Sequence, residues 1–435
     1  MQKSPWHWVA SLFAAEEISA CIVTNVALLM FLQTHTSPAT ATCYCGLLFL
    51  PWILKSLLRT QVCRLGHFRR QLQGLELTIA AVMMSLSCVF PRFSGRQSLW
   101  LFLHLFLLSL FTAWHELAAR MYYERMLHPH EQRLWNRPKI ICSQSAVVLT
   151  YGVFIIFVGA LEVIYRNIPR AWAEGCRLAS CMLLLFTLYH IAMLRKDNGN
   201  VRSTKAVEPR ERSYIRRLVH NPRALSSVLA LFLLLLPQSL MFHSRVLFLL
   251  APRSEGGLGC TLIDVGFAQG VVGVIAFSIG ILLGRQWQKR RKRFAAVGSD
   301  DTVSRSFRQM AVALGLSPVV YLLMTCRPPA SLSLLCTATF LAQFFFGFGL
   351  NAAMPLVCRI SGERYRSTIN YLYIPLVAAV MLLPMAASGW LAERLGFRPF
   401  FLADALTAPV AWFCAHRLLY GTDPKTDSPQ KTPTR

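Results

Sequence analysis

Long apolar runs separated by short polar turns dominate the chain. About 20 helical residues are needed to cross a hydrocarbon layer, and twelve segments meet or approach that length: 8–33, 43–58, 74–90, 98–119, 140–164, 172–194, 224–250, 262–284, 307–326, 330–355, 368–392 and 399–420. The pattern predicts one helix for each. The second and third are short and draw on their flanks to reach the interface. The longest polar connection, Arg195 to Arg223, follows the sixth segment and divides the chain into six helices plus six. Basic turns recur at matching positions, "RLGHFRRQ" after the second segment and "GRQWQKRRKRF" after the eighth. Such recurrence predicts a parallel structural repeat.

The expected organisation is therefore a six-helix bundle at 1–194, a basic cytoplasmic linker at 195–223, a second bundle at 224–420 and a disordered tail at 421–435. With both termini placed in the cytoplasm, the inside segments hold 34 of the 45 Lys and Arg residues. The outside loops then hold eight: Arg92, Arg96, Arg166, Arg170, Arg253, Arg327, Arg394 and Arg398. The positive-inside rule counts Lys and Arg in short loops, and this parity satisfies it. Glu16 and Glu17 interrupt the first apolar run, which argues against a cleaved signal peptide.

Composition supports a membrane class. Of the 435 residues, 54% are hydrophobic and 15% charged, and the mean hydropathy is +0.44; soluble domains carry about 25% charge. The net charge of +25 sits in clusters between apolar stretches, so it predicts a lipid partner and no nucleic acid. The thirteen cysteines contain no CxxC pair, which argues against a disulfide framework or zinc site. His128 and His130 lack further ligands at zinc spacing, and no nucleotide-binding glycine motif is present. No metal, cofactor or catalytic residue is expected, and a coupling ion must supply the energy for any transport.

An ionisable group in mid-bilayer is costly and needs a partner, a water-filled cavity or the interface. Lys55, in "GLLFLPWILKSLLRTQVCRLGHFRRQ" (Gly46 to Gln71), lies about a turn inside a cluster of arginines. It either snorkels to the interface or serves a function. Glu17, Cys21 and Thr24 share a helical face, as do Ser109, Thr112, Glu116 and Arg120, with His104 and His115 alongside. Glu116 and Arg120 are spaced to pair along their helix. In "LPQSLMFHSRVLF", Pro237 permits a break ahead of Gln238, His243 and Arg245, and Arg245 suits an anionic or acetamido-bearing ligand. Thr339, Gln343, Gly347 and Asn351 form a candidate sugar-binding stripe. Gly266, Gly270, Gly273, Gly280 and Gly284 read as sites of close helix packing.

The whole pattern resembles the major facilitator superfamily, and three stretches sharpen the resemblance to AmpG-type muropeptide permeases and the related acetyl-CoA transporters. These are "GLLFLPWILKSLL", "TLIDVGFAQGVVGVIAFSIGILLGR" (Thr261 to Arg285), and "FFFGFGLNAAMPLVCRISGERYRSTINYLY" followed by "SGWLAERLGFRPFFL". Two departures stand out. The basic turn "RTQVCRLGHFRR" lacks the usual aspartate, and in "HELAARM" Glu116 matches an acidic position while Arg120 replaces the second acid. The resemblance implies an all-α major facilitator fold of twelve transmembrane helices in two six-helix halves. It also implies a monomer in the bacterial inner membrane that imports anhydromuropeptides or similar amino-sugar compounds by alternating access. Protons would be carried by Glu17 and Glu116, with Glu76 and Asp404 next in line. Solute would be bound by Lys55, Arg120, Gln238, Arg245, Gln343 and Asn351. Two alternatives are a facilitator-type importer or exporter of another amphipathic solute, and a membrane-embedded acyltransferase using His115 or His190.

Overall fold

The computed structural model describes residues 4–92, 98–194, 222–294, 300–354, 357 and 369–420. Most of the linker expected at 195–223 and the tail expected at 421–435 lie outside the described residues. In chain order the helices are α1 Pro5–Gln33, α2 (Pro38–Leu47, Leu50–Ile53 and Lys55–Leu65), α3 Phe68–Val89, α4 Ser98–Met126, α5 Pro129–Tyr165 and α6 Ile168–Met193. The second half comprises α7 Pro222–Leu250, α8 Leu262–Arg290, α9 Asp300–Cys326, α10 Leu332–Leu350, α11 Ile369–Leu395 and α12 Phe397–Tyr420. Among the described residues, ten helices are long and apolar enough to cross a membrane, and the apolar stretch Pro38–Ile53 is a shorter one. Large apolar side chains such as Leu107, Leu185, Leu188, Leu323, Leu383 and Leu406 are exposed on the outside, as a lipid-facing surface requires. This is an all-α membrane protein.

The helix pairings in the first half recur six helices later. α1 packs on α5, α3 on α6, α2 on α4 and α3 on α4; correspondingly, α7 packs on α11, α9 on α12, α8 on α10 and α9 on α10. The parallel repeat expected from the basic turns is thus present in the packing.

α2 runs longer than its apolar segment and is broken twice. Pro51 has no N–H and crowds the preceding turn, so the helix stops at Leu47 and resumes at Leu50. The carbonyl of Leu48 is left outside the helical ladder, and the Ser109 hydroxyl of α4 donates to it at 2.6 Å. A second interruption at Leu54 (φ −83°, ψ 11°) places Lys55 at the head of the last piece.

Two ends of the bundle are distinguished by which loops they carry. The junction end carries the α2–α3 turn and the connection between α6 and α7. The far end carries the α1–α2, α7–α8 and α11–α12 turns. The halves close on one another at the far end through two helix pairs, α2 with α11 and α5 with α8. A Cβ added at Gly46 would lie 2.7 Å from that of Ala386, and one at Gly389 would strike the Pro38 carbonyl. The Thr42 hydroxyl donates to Ala386 O (3.1 Å) and accepts from Gly389 N (3.1 Å), while Ala39 N donates to Glu393 Oε1 (3.1 Å). In the second pair, Gly270 lies directly against the Tyr151–Gly152 backbone, and a Cβ at Gly159 would lie 3.0 Å from Ile263. Both contact zones of this pair contain π-helical turns, at Val148–Val153 and Gly266–Gly273; a third lies in α1 at Ile22–Val26. Among the described residues, α2 beyond Leu54 makes at most slight contact with α11, so the two helices diverge there toward the junction end.

Candidate functional site

The breaks in α2 aim Trp52 and Lys55 at α4. Lys55 Nζ lies 2.5 Å from Glu116 Oε2, and Trp52 Nε1 donates to the same oxygen at 2.8 Å. Lys55 is only 8% exposed, so its ammonium turns inward and does not snorkel. Glu116 takes Lys55 as its partner, which corrects the expected pairing with Arg120. Arg120 Nε instead lies 3.4 Å from Glu124 Oε1, one turn further along α4.

Further charges gather around this pair. Glu16 of α1 is buried, its Oε2 has no hydrogen-bond partner, and its charged neighbours are Glu116, Lys139, Glu17 and Lys55. Glu17 faces Glu116, Lys139, Lys55 and the Ser143 hydroxyl. Lys139 of α5 stands 3.7 Å above the Phe13 ring and 5.2 Å from that of Tyr123, a placement that favours a cation. Three carboxylates from α1 and α4 thus face Lys55, Lys139 and Arg120. The structure brings together Glu17, Lys55, Glu116 and Arg120 of the expected residues. It adds Glu16 and Lys139, one turn before Ser143 on the same face of α5.

The second half contributes a different chemistry. Arg245 of α7 is 8% exposed, and its Nε has no hydrogen-bond partner. Its guanidinium lies 5.2 Å from the Phe242 ring. Tyr151 of α5 and Tyr321 of α9 both feel its charge, so it acts across the boundary between the halves. No carboxylate pairs with it among the described residues. Beside it, a polar chain crosses three helices: Gln343 Nε2 donates to Gln269 Oε1 (3.1 Å), and Gln269 Nε2 donates to Tyr321 Oη (2.8 Å). Gln269 and Tyr321 escaped the sequence reading because each is a single polar residue in an apolar run.

Two expected solute-binding residues are committed elsewhere. Gln238 donates to Leu314 O of α9 at 2.7 Å. Asn351 donates to the carbonyls of Gly347 and Phe348 (both 3.1 Å) and Ile281 (3.3 Å), closing the end of α10 against α8. Neither joins the central group. The glycines of α8 do serve close packing: Gly280 lies against the Phe344 carbonyl and Gly284 against the Asn351 amide.

No family model matches the sequence, and no curated protein matches it. Solved structures do. The nucleoside transporter NupG superposes with a TM-score of 0.69 at 10% identity, over 96% of this chain and 100% of that one. A bacterial homologue of the human lysosomal transporter Spinster, inward-facing and unoccupied, gives 0.64 at 16% identity over 96% and 97%. A POT family transporter in complex with a thioalcohol-conjugated peptide gives 0.67 at 11% identity over 94% of each chain. The chain has the fold that these proteins share, the two-halved major facilitator architecture.

Proposed function

We propose that the protein is a proton-coupled secondary transporter of a small solute bearing an anionic group, working by alternating access. The observation that carries this reading is Arg245, a buried guanidinium with no carboxylate partner among the described residues, reaching across the boundary between two six-helix halves. A buried, uncompensated cation is costly, and an anionic solute would complete it with a forked pair of hydrogen bonds. Gln343, Gln269 and Tyr321 line the same region and suit the hydroxyl and amide groups of a sugar or peptide. The sequence resemblance favours an anhydromuropeptide or similar amino-sugar compound. The three relatives in fold are named as transporters of different solutes or none, which keeps another amphipathic anion open as a second reading.

Coupling is assigned to Glu17 and Glu116, carboxyl groups in a cluster that includes three acids and three bases. One proton carried with a monoanionic solute is electroneutral and is driven by the pH gradient; each further proton adds about 2.3 kcal/mol per 100 mV of membrane potential. A Gln at the coupling position mimics the protonated acid permanently. Glu116→Gln or Glu17→Gln protein in a permease-deficient strain should exchange labelled anhydromuropeptide but fail to accumulate it, and wild-type accumulation should collapse with a protonophore. If both variants accumulate normally and remain protonophore-sensitive, the proton site lies elsewhere. Absence of any uptake by the wild type would reject the muropeptide.

The junction end is assigned to the cytoplasm of a bacterial inner membrane, from the basic residues it carries. The closed far end then makes this an inward-facing state. A reporter fused after Arg435 should be active only if it works in the cytoplasm; activity of a periplasm-specific reporter would reverse the assignment.

A further inference from the structure

Behind the charged cluster, on the side of α1 and α4 away from the second half, lies a second buried group that the proposed transport cycle does not use. Glu76 of α3 is 2% exposed, His115 of α4 1% and His190 of α6 0%. One carboxylate oxygen holds both rings: Glu76 Oε1 lies 2.6 Å from His190 Nδ1 and 3.2 Å from His115 Nε2. The other ring nitrogen of His190, Nε2, lies 2.9 Å from the Ser11 hydroxyl of α1. Glu76 Oε2 and His115 Nδ1 have no hydrogen-bond partner. Gln73 of α3 donates to the His190 carbonyl, and the rings of Phe186 and Tyr189 flank the imidazole. The titratable side chains in contact with Glu76 among the described residues are these two imidazoles.

We propose that Glu76, His115 and His190 form a second proton-binding site in the first half, distinct from the Glu17–Glu116 cluster and independent of which solute is carried. Two features support it. With both rings neutral, the site is a lone carboxylate in an apolar interior with one oxygen unpartnered, which is strongly unfavourable. Adding one proton makes it a neutral carboxylate–imidazolium pair. The second feature is Ser11, whose oxygen also lies 3.2 Å from the Trp8 carbonyl. When the hydroxyl donates to Trp8 O, its oxygen can only accept from His190, which then carries both N–H groups. When the hydroxyl turns to donate to His190 Nε2, the ring is neutral with its proton on Nδ1. One hydroxyl rotation therefore accommodates either state with every other contact unchanged, and the proton is the only atom gained or lost. His115 stays neutral in both, donating through Nε2 and leaving Nδ1 free. Ser11 is half-buried and near the junction end of α1, which gives the proton its route. His115 immediately precedes Glu116 on α4, so the charge stored here lies one residue behind the Lys55–Glu116 pair.

Nitrogen-15 spectra of histidine-labelled, full-length protein in lipid nanodiscs test this directly, because imidazole and imidazolium nitrogens resonate apart. Signals that disappear in His190→Gln and His115→Gln identify the two rings. Between about pH 9 and pH 5, the range in which imidazoles titrate, the His190 ring should pass from neutral to doubly protonated, whereas in Glu76→Gln it should remain neutral. A charge state of both rings that is constant across this range in the wild type overturns the proposal, leaving a hydrogen-bonded packing motif. If Glu76→Gln fails to fold, the wild-type titration alone decides. As an independent check, wild-type protein should take up about one proton more over the same range than the triple variant Glu76→Gln/His115→Gln/His190→Gln, which lacks all three groups; no such excess rejects the site.

Discussion

Lys55→Met protein is expected to unfold more readily than wild type, by about 3–5 kcal/mol, and to transport nothing. Removing one partner from a buried ion pair leaves the other charge without compensation, and this magnitude is typical of that loss. Here the abandoned group is Glu116, which among the described residues keeps the hydrogen bond from Trp52. The double variant Lys55→Met/Glu116→Gln removes both charges while Gln still accepts from Trp52. It should recover most of the stability, since replacing a whole buried pair is often near neutral, yet remain unable to accumulate solute. Lys55→Arg should rescue little, because a planar fork does not fit where a compact ammonium meets one oxygen. Thermal unfolding in detergent and uptake in cells separate the two effects. Wild-type stability and uptake in Lys55→Met would show that the pair is dispensable.

A β-branched residue at Gly270 should prevent the far end from closing. Any Cβ there meets the Tyr151 carbonyl and the Gly152 nitrogen, which are backbone atoms that no rotamer change can move. The helices must separate, and overpacking of this kind costs about 1–3 kcal/mol, enough to shift the closed fraction about 5- to 150-fold. Gly270→Val should therefore lose most transport while remaining folded. Cys260, in the pocket at the far end beside Leu262 and Glu255, should react faster with an impermeant maleimide in a background without the other cysteines. Gly389→Val acts on the matching contact between α2 and α11 and should behave alike. Gly74, with open space around it, supplies the control: Gly74→Ala should transport normally. Unchanged Cys260 reactivity in Gly270→Val would mean that this glycine contact does not set the closure.

The number of helices and their two-halved arrangement were legible because burial in lipid leaves a composition signal in every segment. The glycines of α8 were also legible as packing sites, since a row of small residues has few other uses in an apolar helix. What could not be read was who faces whom. Glu116 meets Lys55 across 61 residues of sequence, and its nearer helical neighbour Arg120 offered a simpler partner. Lys139 is hidden in the sequence because the fifth apolar run begins only at residue 140, whereas the helix begins at Pro129. Gln238 and Asn351 looked like solute ligands only because their backbone acceptors, on α9 and at the close of α10 and α8, are invisible before folding.

The π-helical turn at Ile22–Val26 changes how positions along α1 must be counted. An ordinary helix turns about 100° per residue, and a π turn closes its hydrogen bonds one residue later, so every position beyond Val26 is out of phase with those before Ile22. Within the turn, Asn25 bonds back to both Cys21 Sγ (3.7 Å) and Thr24 Oγ1 (2.9 Å). A solute moving along α1 would be handed from one stripe of side chains to another halfway across the bilayer. An accessibility scan along this helix would show two clean periodicities separated by a jump, with the jump marking the depth at which the passage changes its lining.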